Sequence, residues 1–267
     1  MKIALYYRNI GEADRPAFDA LCAALHNKNI ETVTVGDGDS VDGCDFLFSI
    51  GGDGTLLSSV QLVHAGVESG QFPPVLGINF GHLGFLTTVG RDNLDGLADD
   101  LIAGRYSVEE RTLLEVNSNS LALNEVFVHR GEAMSLLRTQ VFVDGDYVAT
   151  YAGDGVIVAT PTGSTAYSLS CGGPILTPTS GCFLITPIAA HTLTLRPIIV
   201  PDTAHITLRT GDMPATLGID SRRQAINGTT EMHIRRAPFS IRLIRTGTQN
   251  FFSAIRDKLM WGSEVRG

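Results

Sequence analysis

Lysine is almost missing from this chain of 267 residues: Lys2, Lys28 and Lys258 are the full set. Any phosphate chemistry would have to lean on backbone N–H groups, arginine or a metal. The four cysteines (Cys22, Cys44, Cys171, Cys182) show no C-x-x-C spacing and no paired histidine motif. That argues against structural zinc or a disulfide framework and favours reduced thiols in a cytoplasmic protein. No apolar run approaches the roughly 18 residues that a membrane span needs. The first residues, Met1 to Arg8, lack the long apolar core and small-residue cleavage site of a signal peptide. Positive charge is in deficit too. A formal net charge of -8 argues against generic binding to nucleic acid or an anionic membrane, although a basic pocket can sit inside an acidic protein. No Gly-Lys dipeptide occurs, which excludes a P-loop, and Gly52-x-Gly54 lacks the third glycine of a dinucleotide fingerprint.

What is present is an apolar content of 43%, ample for a packed core, arranged in two styles. The first hundred residues alternate strand and helix. Ile3–Tyr7 reads as a strand, and Asp14-Arg15-Pro16 as a helix start. Phe18, Leu21, Cys22 and Leu25 form one apolar helix face. Strands follow at Glu31–Val35, at the wholly apolar Phe46–Ile50, and at Val75–Asn79. Helices are expected at Leu56–Ala65 and around Leu94, Leu97, Ala98, Leu101 and Ile102, the latter closed by Gly104. This order indicates a doubly wound, Rossmann-like parallel sheet. After about Arg105 the pattern becomes mainly β. A hairpin is expected at Asp144-Gly145, with short strands at Val156–Ala159, Leu193–Leu195, His205–Leu208 and Ser240–Leu243. A sandwich-like domain follows. Phe252, Ile255 and Leu259 then lie at helical spacing, on a tail expected to return to the first domain. The expected divisions are 1–105, 106–240 and 241–267.

Four segments could carry chemistry. Gly51-Gly52-Asp53-Gly54-Thr55 lies between a buried strand and a helix, with Thr55 a candidate N-cap. Glycines let the backbone approach a ligand closely, and a helix N-terminus suits phosphate. A carboxylate among phosphates needs a specific task, so Asp53 either accepts a proton or binds a metal. The alternative is a tight turn with a solvated aspartate. Gly81-His82-Leu83-Gly84-Phe85-Leu86 ends another strand, where α/β sheets bind ligands, or is a βα connection with an apolar anchor. Asn124-Glu125 offers donors and acceptors for ribose hydroxyls or adenine edges, or is a surface turn. The dense stretch from Asp154 through Thr160-Pro161-Thr162-Gly163-Ser164-Thr165-Ala166-Tyr167-Ser168-Leu169-Ser170 to Pro174 suits a closely fitted polar pocket, or is a hydroxyl-rich loop.

Together these segments resemble the NAD kinase family over most of the chain. Ile185–Ile188, His191–Leu193 and Arg196-Pro197 extend the likeness in the family's order. The Gly-Gly-Asp-Gly motif alone is shared with diacylglycerol, sphingosine and 6-phosphofructo-kinases; the Thr160–Ser168 run is far more specific. The resemblance implies an α/β domain plus a β-rich domain, and transfer of the γ-phosphoryl of ATP to the 2′-hydroxyl of the adenosine ribose of NAD, giving NADP. It implies Asp53 as proton acceptor, with Gly51, Gly52, Gly54 and Thr55 near the donor phosphates and Phe80 among the nucleotide contacts. Asn124 and Glu125 would bind the adenine and ribose region, Thr165, Ala166, Tyr167, Ser168 and Ser170 would line the adenosine pocket, and Asp154 and Ala189 would reach the nicotinamide end. Asp220 completes the implied substrate contacts. Mg²⁺ or another divalent cation would arrive with ATP, held largely by substrate oxygens and water, with no dedicated protein ligands. A cytoplasmic homodimer or homotetramer is implied, with a neighbouring subunit completing the site and no membrane or nucleic-acid partner. The chain departs from the family's pattern at Ser58, Ala152 and Ser221-Arg222, where basic residues or a glycine pair are common. The competing functions are a lipid or sugar kinase sharing the Gly-Gly-Asp-Gly-Thr motif, and a non-catalytic dinucleotide sensor.

Overall fold

Phe46–Ile50, apolar but for Ser49, is buried at all five positions, as a strand covered on both faces must be. A computed structural model describes residues 1–62, 72–94, 96–132, 135–247 and 250–261. The chain divides into two units, Met1–Glu110 with Ile241–Gly267, and Arg111–Ser240.

The first unit begins with β1 (Lys2–Tyr6), α1 (Arg15–Asn27), β2 (Glu31–Val35), β3 (Phe46–Ile50), α2 (Asp53–Ser59) and β4 (Val75–Asn79). The short β5 (Val89–Gly90) and α3 (Leu97–Ile102) follow. The parallel strand order is β4-β3-β1-β2. From β1 the chain moves outward to β2, and from β3 it moves the opposite way to β4. The carboxyl ends of β1 and β3 are therefore the topological switch point, where open α/β sheets bind ligands. Gly51 follows β3 directly at that point. The α1 face of Phe18, Leu21 and Leu25 packs with Ile3, Leu5 and Phe48, as the periodicity predicts, and Leu97, Ala98 and Leu101 of α3 join the same cluster. The helix expected over Leu56–Ala65 starts earlier, at Asp53, and residues 63–65 lie outside the described ones. Gly52 is its N-cap; Thr55 sits inside the first turn, which corrects the sequence expectation. The C-terminal helix Phe251–Leu259 also belongs to this unit and is closed at its start by a reciprocal Asn250–Ser253 capping box.

The second unit is mainly β. It contains β6 (Ser107–Val116), β7 (Ser120–Ala122), β8 (Glu125–His129), β9 (Leu137–Val143), β10 (Asp146–Gly153), β11 (Gly155–Ala159) and α4 (Tyr167–Ser170). Then come β12 (Cys182–Ile188), β13 (Ile198–Pro201), β14 (Ile206–Thr210), β15 (Ala215–Ile219), β16 (Arg222–Ile226) and β17 (Glu231–Arg245). β6 begins in the first unit, and the end of β17 returns to it, pairing Leu243 with Val75 in parallel. Six strands form an antiparallel sheet in the order β13-β12-β11-β8-β15-β16. β10, β9, β14 and the start of β17 form a second set, joined by the expected Asp144-Gly145 hairpin. Val126, Val128, Val156, Phe183 and Leu217 of the first sheet meet Val141, Ile206, Leu208 and Met232 of the second in one apolar core. That is a sandwich. Period-2 alternation sends Glu125, Phe127 and His129 to the opposite face of β8. The strand expected at Leu193–Leu195 is instead a turn with Leu193 84% exposed and Leu195 half-buried against the sandwich core, and among the described residues no strand pairs with its backbone. Among the described residues no helix is long and apolar enough to cross a membrane, and all four cysteines carry free thiols.

Candidate active site

Asp53 is the first residue of α2, and its carboxylate turns onto the loop that follows β4. Oδ2 accepts from Phe85 N–H at 2.8 Å. Oδ1 accepts from Leu86 N–H at 3.3 Å, Thr87 N–H at 3.1 Å and the Thr87 hydroxyl at 3.1 Å. The motif Gly51–Thr55 and the motif Gly81–Leu86 thus meet through one side chain. Gly84 makes this possible: a Cβ there would overlap both carboxylate oxygens of Asp53. The solvated-aspartate alternative is incompatible with these bonds. Gly51, Gly52 and Thr55 are half-buried and Gly54 is exposed. Asn79 shapes the adjoining turn, accepting from Gly81 N–H at 3.0 Å and donating to the His82 carbonyl, while His82 itself is exposed. Phe80 is a buried member of this unit's core, and its edge lines a cleft of about 440 Å³ with Gly81, Leu83 and Arg91. Ser58, where basic residues are common in the family, is buried and donates to the Gly54 carbonyl within α2.

In the second unit a different carboxylate organises the Asn124-Glu125 pair. Asp220, with φ at +51°, accepts from Leu123 N–H at 2.8 Å, Asn124 N–H at 2.8 Å and Glu125 N–H at 3.1 Å. Three of its lone-pair positions go to backbone, which gives Asp220 a role in holding residues 123–125. Burial raises the Asp220 carboxyl to about 6, against the pull of the three N–H donors and the Arg222 charge. Glu125 is pushed higher, to about 8, by burial first and by the Asp220 charge second, against a bond from Tyr167 N–H. Of the two, Glu125 holds its proton to the higher pH, and in that form it can donate a hydrogen bond. Glu125 Oε2 is buried with no hydrogen-bond partner among the described residues, a state that a ligand hydroxyl would relieve.

The hydroxyl-rich run packs over the same pair. Gly163 lies so close to the Asn124 carbonyl that any Cβ would overlap it. Thr160 Oγ1 donates to the Leu123 carbonyl at 2.5 Å and accepts from Gly163 N–H at 3.1 Å. Thr165 and Ala166 are half-buried. Tyr167 stands edge-on to Phe127, centroids 5.4 Å apart, beside a cleft of about 300 Å³ that also holds His129, Thr216 and Arg223. Ser168 is fully buried and its hydroxyl hydrogen-bonds the Thr186 hydroxyl at 2.8 Å, with either oxygen able to donate; Ser170 is exposed. Ala189 is exposed with φ at +42°. Asp154 forms an ion pair with Arg130 at 2.6 Å. Sequence reading missed Arg130, because its place opposite Asp154 follows from the antiparallel pairing of His129 with Gly155. The Arg222 guanidinium donates to the Leu121 carbonyl at 3.2 Å. Thr87 was missed as well, since a lone threonine after a motif carries no pattern.

A carboxylate fixed on a glycine turn at the switch point of a parallel sheet, with a separate β unit bearing a buried acid and a hydroxyl-lined loop, is the equipment of a nucleotide-dependent phosphotransferase. Comparison with known proteins makes the class specific. The model of the ATP-NAD kinase N-terminal domain matches residues 11–106, and that of the ATP-NAD kinase C-terminal domain matches residues 123–246. The chain belongs to the NAD kinase family. It is 38% identical over 231 residues to the NAD kinase of Cytophaga hutchinsonii, covering 83% of this chain and 77% of that protein. The NAD kinase of Flavobacterium johnsoniae aligns over the whole of both chains at 36% identity. Among solved structures, yeast NADH kinase complexed with NADH superposes with a TM-score of 0.89 at 26% identity, covering 100% of this chain and 89% of that one. An NAD kinase from Archaeoglobus fulgidus in complex with ATP gives 0.81 at 27% identity, covering 97% and 99%.

Proposed function

We propose that this NAD kinase transfers the γ-phosphoryl of ATP to the 2′-hydroxyl of the adenosine ribose of NAD, with Asp53 as the proton acceptor. The observation that carries the reading is the uneven loading of the Asp53 carboxylate, three donors on Oδ1 and one on Oδ2. A carboxylate has about four lone-pair positions, two on each oxygen, so Oδ2 keeps one for an incoming hydroxyl. In a loose phosphoryl-transfer transition state the acceptor of the proton needs orientation more than basicity. Backbone N–H groups at the start of α2 face the donor phosphates.

Asn124 and Glu125 take the adenosine ribose and adenine, with Thr165, Ala166 and Tyr167 lining the pocket. Asp154, held by Arg130, and Ala189 reach toward the nicotinamide end. A divalent cation carried by ATP oxygens and water belongs to the same reading. When bound, such a cation neutralises phosphate charge. A cytoplasmic homodimer or homotetramer belongs to the same reading.

The test is Asp53→Asn, assayed with ATP, Mg²⁺ and NAD, with NADP detected by an NADP-specific dehydrogenase. NAD binding should persist while turnover falls by about 10²- to 10⁴-fold. Turnover near that of the native enzyme would overturn the assignment of Asp53, and native protein that phosphorylates a lipid or sugar in preference to NAD would overturn the substrate.

A further inference from the structure

We propose that Thr87 is a positioning residue for the phosphoryl-transfer step, its hydroxyl fixing the Asp53 carboxylate so that one lone pair stays open to the acceptor hydroxyl. The inference rests on Asp53 as proton acceptor and adds what orients it. Thr87 is fully buried. Its Oγ1 accepts from Gly84 N–H at 2.8 Å and donates to Asp53 Oδ1 at 3.1 Å. A hydroxyl has a single proton, and the Gly84 N–H occupies a lone pair, so that proton is directed at Oδ1. Leu86 and Thr87 N–H also donate to Oδ1, at 3.3 and 3.1 Å, so that oxygen carries three donors on about two lone pairs.

The three backbone donors hold the loop to the carboxylate whatever stands at position 87. The hydroxyl is the one side-chain donor of the four. Without it Oδ1 keeps only the two N–H donors, at 3.3 and 3.1 Å, and the carboxylate plane is freer to rock about the Cβ–Cγ bond. The reacting hydroxyl then meets the open lone pair in only part of the population. Small losses of alignment at a reacting atom cost up to about 100-fold in rate without changing what binds.

Thr87→Val removes the hydroxyl and keeps the shape; Thr87→Ser keeps the hydroxyl. The expected result for Thr87→Val is a kcat lower by about 10- to 100-fold, with KM for NAD and for ATP within about twofold. Thr87→Ser should return kcat to within about threefold of the native value. In an Asp53→Asn background Thr87→Val should have no further effect, because it acts through that side chain. An unchanged kcat in Thr87→Val would overturn the proposal, as would an equal loss in the Asp53→Asn background. If Thr87→Val does not fold, Thr87→Cys replaces it: a weak S–H donor should lower kcat by several-fold at unchanged KM, and native kcat would overturn the proposal. Failure of the underlying reading looks different, because Asp53→Asn alone would then turn over like the native enzyme.

Discussion

The carboxylate of Asp53 occupies the space that a side chain at Gly84 would need. Two motifs separated by about thirty residues are therefore one device: Gly84 is the seat, and the amides of residues 85–87 are the fastening.

Gly84→Ala should show this most directly. The added methyl group displaces the Asp53 carboxylate or the loop, costing about 1–3 kcal/mol of stability as overpacking does. Turnover should fall by at least about 100-fold, since the reacting group itself is moved. Thermal unfolding and steady-state kinetics on the same preparation check both parts. Native kcat in a folded Gly84→Ala protein would contradict the coupling.

Asp220→Asn tests the second fastening. The amide keeps one accepting oxygen but turns N–H₂ toward at least one of the backbone donors of residues 123–125, which then loses its acceptor in a buried place. About 1–3 kcal/mol of stability should be lost. KM for NAD should rise by about 10-fold or more, as Asn124 and Glu125 lose their placement, with KM for ATP little changed. Calorimetry with NAD provides an independent measurement.

Stability should fall as pH rises from about 4 to 8. Glu125 titrates near 8 in the fold against an ordinary 4.5, and Asp220 near 6 against 3.8. Both are raised, so the unfolded chain loses these protons first. The contribution of Glu125 is fully present below about 4.5 and gone above about 8; that of Asp220 is lost between about 3.8 and 6. Glu125→Gln removes the larger part. Its urea midpoint should depend less on pH between 5 and 8 than that of the native protein, and parallel curves would contradict the burial argument.

Arg130→Ala leaves the Asp154 carboxylate without its guanidinium partner. The pair is partly exposed, so the stability change should stay within about 1 kcal/mol. The expected effect is on binding: KM for NAD rises several-fold with kcat nearly unchanged. Kinetics over a range of NAD concentrations would reveal a fall in kcat instead, which would place the pair in the chemistry.

Much of the architecture could be read from the chain itself. The alternating strands and helices of the first hundred residues, the buried run Phe46–Ile50 and the α1 stripe of Phe18, Leu21 and Leu25 are local patterns with periods of 2 and 3.6. The Asp144-Gly145 hairpin is equally local. So is the motif set that marks the family. The misjudged elements are those whose state depends on a neighbour. Leu193–Leu195 has strand composition but no strand beside it, and Thr55 looks like a cap until Gly52 takes that place.

The division falls at the same line within the site. Sequence alone determined which residues to propose for the chemistry, because Asp53, Asn124-Glu125 and the Thr160–Ser168 run are contiguous signatures. Tertiary structure alone decided what each is bonded to. Asp53 on the amides after Gly84, Asp220 beneath residues 123–125, and Arg130 against Asp154 are contacts between distant stretches of chain. Hydrogen bonds depend on distance and direction in space, and no spacing along the chain encodes either until the sheets bring the partners together.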